Sequence, residues 1–302
     1  MVSPASAWQE REVSIDGGKA PLFGTLATTA GNAARAQVLI LAGSGPTDRD
    51  GNQHNLRNDS LKLLARALVD QGIASLRIDK RGIGASFAAA PAELELRVET
   101  YVEDAVRWLR FLDAQPNAGP LVALGHSEGA LIATMAAAHV RVSSVVLISA
   151  AGFPAGEVLE RQLAAVALPP ALRERTRSIL ASLLRGETVA DVPDGLAALF
   201  RPSVQPYLVS YLRLDPAAEL AKLSVPALIV QGTTDLQVTL ADARRLAGAR
   251  RDIDLVVLEG ANHVLKEAPA ERAANLQTYN EPGRPLAPGL VPAIADFIGK
   301  PR

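Results

Sequence analysis

Gly125-His126-Ser127-Glu128-Gly129 follows the apolar run Pro120-Leu121-Val122-Ala123-Leu124 and opens the helix-forming stretch Ala130-Leu131-Ile132-Ala133-Thr134-Met135-Ala136-Ala137-Ala138. A strand, a tight turn and a helix in that order form the context of a Gly-x-Ser-x-Gly nucleophile elbow. In such a turn the serine backbone is strained, and the flanking glycines leave space where strand and helix approach too closely for a Cβ. The Ser127 hydroxyl is then expected to project above a sheet, at a helix N-terminus whose free N–H groups and dipole favour developing negative charge. The pentapeptide alone also fits an ordinary strand-to-helix turn, so the reading depends on what lies further along the chain.

Working outward, 302 residues can bury a substantial core, and the length suits one large α/β unit with an insertion. Hydrophobic residues make up 48% and charged residues 21%, a globular balance. The 31 basic and 32 acidic residues nearly cancel, and the few lysines are dispersed, which argues against nucleic acid or an anionic membrane as partner. Absence of cysteine excludes disulfides, a thiol nucleophile and a thiolate-bound zinc. The start, Met1 to Trp8, lacks the basic and apolar regions of a secretory leader, and no run approaches a membrane span. A cytoplasmic protein is expected, or a secreted or periplasmic one if a leader was removed. No cofactor or metal is expected, and a homodimer is compatible with this composition.

Residues Arg11 to Ile15 and Leu22 to Thr28 alternate around Asp16-Gly17-Gly18, which reads as an antiparallel hairpin. Beyond it, Gln37 to Ala42, Ile73 to Ile78, Pro120 to Leu124, Val142 to Ser149, Ala227 to Gln231 and Ile253 to Leu258 are short and rich in branched apolar residues, as suits strands covered on both faces. Amphipathic stretches at Ser60 to Gln71, Val98 to Gln115 and Leu240 to Ala249 alternate with them, so a mostly parallel sheet follows. From Phe153 to about Lys222 no strand is predicted, only helical pieces broken by Pro169-Pro170, Pro193, Pro202 and Pro206. This reads as a helical cap, residues 153–222, inserted into a core of 1–152 and 223–302. Its apolar residues Leu159, Leu163, Leu180, Leu183, Leu184, Leu199, Phe200, Leu208, Tyr211 and Leu212 are expected mostly to pack internally or on the core, with a minority lining a modest pocket.

A serine hydroxyl needs a base to take its proton and an acid to orient that base. Asp235 ends Gln231-Gly232-Thr233-Thr234-Asp235 just past one predicted strand, and His263 ends Glu259-Gly260-Ala261-Asn262-His263 just past the next. Both are expected at the carboxyl edge, beside the elbow. Of the four histidines, His126 lies within the elbow and is expected to point away from the serine's side, His139 sits late in the following helix and His54 in the loop after the third strand, which leaves His263 as base. Among rival acids, Asp242 falls within a helix and Asp254 starts a strand at the wrong edge. Oxyanion donors are expected from the backbone N–H groups of Glu128 and of Ser44, in Ala42-Gly43-Ser44-Gly45-Pro46. Neither Gly-x-Gly-x-x-Gly nor a P-loop ending is present, which argues against a nucleotide site. Asp48, Arg49 and Asp50 read as a salt-bridged loop, Asp79 and Arg81 as a pair bracing the loop after the fourth strand, and the Glu128 side chain as a bond to a neighbouring loop.

With these residues in place the chain resembles the α/β-hydrolase superfamily. Within it, Gly43-Ser44-Gly45-Pro46-Thr47-Asp48-Arg49-Asp50-Gly51-Asn52, Asp79-Lys80-Arg81-Gly82-Ile83-Gly84-Ala85-Ser86 and the Ser-Glu-Gly elbow are similar to the EstD-like serine carboxylesterases over nearly the whole chain. The resemblance implies the α/β-hydrolase fold: about eight mostly parallel strands with antiparallel strands at the N-terminal end, helices on both faces and an inserted cap. It also implies a Ser127, Asp235, His263 triad and hydrolysis of short acyl esters. One departure is Ala42, where the superfamily more often has the histidine of a His-Gly oxyanion turn; the backbone donors do not depend on it. Peptidase, amidase or lactonase activity on the same triad, or ligand binding without catalysis, are the rival expectations, because leaving-group choice is set by cap and loops.

Overall fold

The computed structural model describes residues 8–29, 33–116, 119–164 and 167–300; the Met1 to Ala7 run lies outside them. Eight strands form one sheet in the order β1-β2-β4-β3-β5-β6-β7-β8. They are β1 (Trp8–Ile15), β2 (Leu22–Thr29), β3 (Ala36–Leu41), β4 (Ile73–Ile78), β5 (Leu121–His126), β6 (Ser144–Ile148), β7 (Ala227–Gly232) and β8 (Ile253–Leu258). The β1–β2 and β2–β4 pairs are antiparallel. All other pairs are parallel, so their carboxyl ends share one edge. At the hairpin, Asp16 Oδ1 accepts the Gly18 N–H at 2.8 Å, an Asx turn that reverses the chain.

The central strands are buried throughout, because each face is covered by its own helices. Leu39, Ala123, Val145, Leu147 and Ile229 join one core with α2 (Val98–Asp113), α3 (Glu128–Ala137), α8 (Pro216–Ala221) and α9 (Leu240–Ala247). Their neighbours Val38, Ile40, Val122, Leu124, Val146, Leu228 and Val230 join the other, with α1 (Ser60–Asp70) and α11 (Leu290–Gly299). This is the period-two alternation of a strand split between two apolar layers. Each buried Leu or Val there contributes about 1.5–3 kcal/mol.

Between β6 and β7 lie α4 (Ala155–Ala164), α5 (Pro170–Arg185), α6 (Asp194–Phe200), α7 (Gln205–Leu212) and α8, where the sequence predicts helices and no strand. Proline sets the starts: Pro170, Pro206 and Pro216 occupy first-turn positions, where a missing N–H costs nothing. Asp215 caps α8, accepting the Ala217 and Ala218 N–H groups at 3.1 and 3.4 Å. Ala155, Ile179, Leu180, Leu183, Leu196, Phe200, Leu208 and Leu212 form a third apolar cluster within this segment. Leu184 departs from the expectation and is exposed.

The bracing of the loops also departs from the sequence reading. Asp79 and Arg81 do not pair with each other. Arg81 forms a bidentate pair with Asp104 of α2, at 2.8 and 2.6 Å, and Asp79 accepts Arg49 Nε and Nη2 at 2.9 and 2.7 Å. Both residues lie in the loop just past β4, where the backbone has left the sheet, and each ion finds its partner on a different element. Asp50 binds Arg77 at 2.9 Å, and Asp48 accepts the Asp50 and Asn52 N–H groups at 2.9 Å each, which roots this loop on the sheet.

Candidate active site

Ser127 sits between β5 and α3 with φ 55° and ψ −123°, outside the comfortable regions for an L-residue. Its backbone is over-determined by neighbours: the Ser127 N–H donates to Ile148 at 2.9 Å, and its carbonyl accepts the Ala130 N–H at 3.0 Å. The flanking glycines are obligatory. A Cβ on Gly125 would lie 2.1 Å from the Gly129 carbonyl oxygen, and one on Gly129 would lie 2.4 Å from that of Leu41.

Asp235 follows β7 and His263 follows β8, both at the carboxyl edge. The His263 Nδ1 lies 2.9 and 3.1 Å from the two Asp235 oxygens. Both side chains are almost wholly buried. Burial would raise the Asp235 carboxyl, but the His263 ring and its hydrogen bond, with the Val238 and Gln237 N–H groups at 3.0 and 2.8 Å, hold it at about 2. Gln231 Nε2 adds a donor to Asp235 at 3.3 Å. An ionised acceptor on one ring nitrogen orients the imidazole and directs the other nitrogen away from the acid.

His126 connects this pair to the elbow through His263, and unlike Ser127 it does not line the cavity. Its Nε2 is 2.8 Å from the His263 carbonyl oxygen, and the two rings are 4.9 Å apart. Burial, then the His263 ring beside it, pushes His126 down to about 3, so it stays neutral and donates that hydrogen bond. His263 is thereby tied to the residue preceding Ser127. Asp242 takes no part: it receives Thr239 in the first turn of α9 and Arg161, while Asp254 pairs with Lys300.

Sequence reasoning missed the brace beneath both loops. Asn262 donates to Asn275 Oδ1 at 3.3 Å and Thr278 Oγ1 at 2.7 Å, and Asn275 donates to the carbonyls of Thr234 and Pro269 at 2.9 Å each. Asn262 and Asn275 are fully buried, and they join the chain beside Asp235 to the chain beside His263. An Asn directly before the candidate base was a signal, but its partners lie in α10 (Arg272–Gln277) and just beyond, a stretch with weak periodicity.

Above Ser127 a cavity of about 710 Å³ is lined by Ser44, Lys80, Ser127 and Glu128 below and by the helical segment above. Five of the ten apolar residues singled out in that segment (Leu159, Leu199, Leu208, Tyr211 and Leu212) line it, so half face the cavity rather than a minority. Three of the four tyrosines, Tyr101, Tyr207 and Tyr211, form an aromatic wall. Tyr101 meets Tyr207 edge-on at 5.8 Å, and Tyr207 stacks on Tyr211 at 6.0 Å. The Tyr207 hydroxyl donates to Glu128 at 2.7 Å, so the Glu128 side chain bonds to a helix of this segment. Burial and the Glu128 carboxylate push Tyr207 well above its ordinary value.

The turn holding Ser44 packs against the elbow, since a Cβ on Gly43 would be 3.1 Å from Ser127 Cβ. Among the described residues no cluster of three or more His, Asp or Glu side chains is arranged to hold a metal ion, and no helix is long and apolar enough to cross a membrane.

A profile of the alpha/beta hydrolase family matches residues 21–276, most of the chain. The chain belongs to the alpha/beta hydrolase family. Esterase EstD of Thermotoga maritima is 29% identical over 272 residues, covering 87% of this chain and 61% of that protein. This hydrolase chain therefore spans about three fifths of the length of that curated relative. Est1E of Butyrivibrio proteoclasticus, solved with ferulic acid bound, superposes with a TM-score of 0.63 at 16% identity, over 95% of this chain and 96% of that one. The esterase domain of a Rhodothermus marinus protein gives 0.56 at 23%, over 88% and 93%. Both share the alpha/beta hydrolase fold.

Proposed function

We propose that this alpha/beta hydrolase is a serine esterase that cleaves small carboxylic esters through a covalent acyl-enzyme. Ser127 attacks the ester carbonyl carbon and passes its proton to the His263 ring, which Asp235 orients. The tetrahedral oxyanion is held by the backbone N–H groups of Ser44 and Glu128. Collapse expels the alcohol, which takes the proton from His263, and water then repeats the sequence to release the acid. The observation that carries this reading is Ser127, held at φ 55° on the floor of the cavity, with His263 bonded through its carbonyl to the preceding residue. The likeness to EstD, an esterase by name, supports ester over amide as the substrate class.

In this reading residues 153–222 form a cap over a core of 1–152 and 223–302, and the cavity beneath the cap receives the apolar acid or alcohol part of the ester. A wall of three tyrosines with Leu199, Leu208 and Leu212 favours a group bulkier than acetyl. The test is turnover of p-nitrophenyl acetate, butyrate and hexanoate by wild type and Ser127→Ala. Loss of roughly 10⁶-fold in kcat is expected. Comparable rates in both proteins would remove the mechanism.

A further inference from the structure

Lys80 is the one buried cation at the cavity whose hydrogen bonds among the described residues go to carbonyls rather than to a carboxylate. Its ammonium donates to the Gly43 and Gly45 carbonyl oxygens at 2.6 and 2.8 Å. The side chain is 8% exposed, with the Tyr101 ring centroid 5.9 Å from Nζ. Burial lowers its pKa, and the nearby Glu128 carboxylate favours the charged form. A buried ammonium without a bonded counter-ion is costly, so its placement calls for a compensating use.

The turn it grips supplies that use. No peptide bond here is cis, so in the plane joining Gly43 to Ser44 the C=O and N–H point in opposite directions. With the Gly43 oxygen fixed on the ammonium, the Ser44 N–H is directed to the other side. The same turn lies against Ser127, since a Cβ on Gly43 would come within 3.1 Å of the Ser127 Cβ. Thr47 Oγ1 donates to the Ser44 carbonyl at 2.8 Å and fixes the following plane. A cation on the carbonyl also polarises the amide, strengthening its N–H as a donor.

We propose that Lys80 is a positioning residue for the oxyanion: by holding the Gly43 and Gly45 carbonyls it aims the Ser44 N–H at the oxygen of an acyl group on Ser127. This rests on the esterase reading above, and the experiment separates the two. Sites are counted by labelling Ser127 to completion with a fluorophosphonate, and kcat per labelled site is measured on p-nitrophenyl butyrate with the Ki of a trifluoromethyl ketone, which forms a tetrahedral oxyanion on serine. In Lys80→Met, kcat per labelled site is expected to fall about 10²-fold with KM within about threefold, and Ki to rise by about the same 10²-fold. A purely structural lysine would lower the number of labelled sites but leave kcat per site and Ki unchanged, which overturns the proposal. Lys80→Gln, which keeps a polar head in the buried position, gives the same reading where the Met variant does not fold. Wild type that neither turns over ester nor takes up label would overturn the esterase reading together with this one.

Discussion

The Tyr207 hydroxyl meets the Glu128 carboxylate at 2.7 Å, so the helical segment is fastened to the residue that immediately follows Ser127. Glu128 is only 7% exposed, and Tyr207→Phe deprives a buried carboxylate of its donor without opening a cavity. The expected loss is about 1–3 kcal/mol of stability. It should appear as a lower urea midpoint at unchanged m-value; an unaltered midpoint would mean that water replaces the phenol.

Asp235 carries a pH signature. Its carboxyl is held at about 2 against an ordinary value of 3.8, so its folded pKa is depressed. The stability it contributes is complete above about pH 4 and is lost as the pH falls toward 2. Urea midpoints at pH 6, 4 and 3 should fall less steeply in Asp235→Asn than in wild type. The same variant should lose kcat on the order of 10⁴-fold, because an amide no longer fixes the imidazole tautomer.

The Arg81–Asp104 pair is nearly dry at both ends, with side chains 9% and 6% exposed. Truncating one partner leaves a buried charge alone. Asp104→Ala is expected to cost about 3–5 kcal/mol, and Arg81→Met combined with Asp104→Leu much less. Equal losses in the single and double variants would show that packing rather than charge governs the site.

Gly43→Ala tests the contact between the proposed oxyanion turn and the elbow. Its φ lies outside the left-handed region, so alanine is allowed by the backbone, but its methyl would sit 3.1 Å from Ser127 Cβ and 3.4 Å from His126 Nδ1. A shift of a few tenths of an ångström should lower kcat roughly 10-fold or more while thermal stability changes little. Full activity would place the turn's working position elsewhere.

Much of this was legible in sequence because the relevant signals are local. The elbow glycines, the six apolar strand runs and the acid and histidine just past two of them each announce themselves within a few residues. What escaped depends on elements distant in the chain. Asp79 and Arg81 take their partners from Arg49 and Asp104, 30 and 23 residues away in sequence. The packing of His126 against His263 requires the loop after β8 to fold over the end of β5. Tyr207 and Glu128 are 79 residues apart. The α10 and α11 region is short and interrupted by glycine and proline, so the Asn262–Asn275 brace carried no periodic signal.

The positive φ of Ser127 has a bearing on how this protein can be improved. A glycine would relieve that backbone at no steric cost, and the chain so altered would be harder to unfold while lacking the hydroxyl that the proposed mechanism uses. On the proposed function, any programme that ranks variants by heat resistance alone therefore drifts toward discarding the proposed nucleophile, and thermal hardening here has to be sought in the distant scaffold, with turnover scored in parallel.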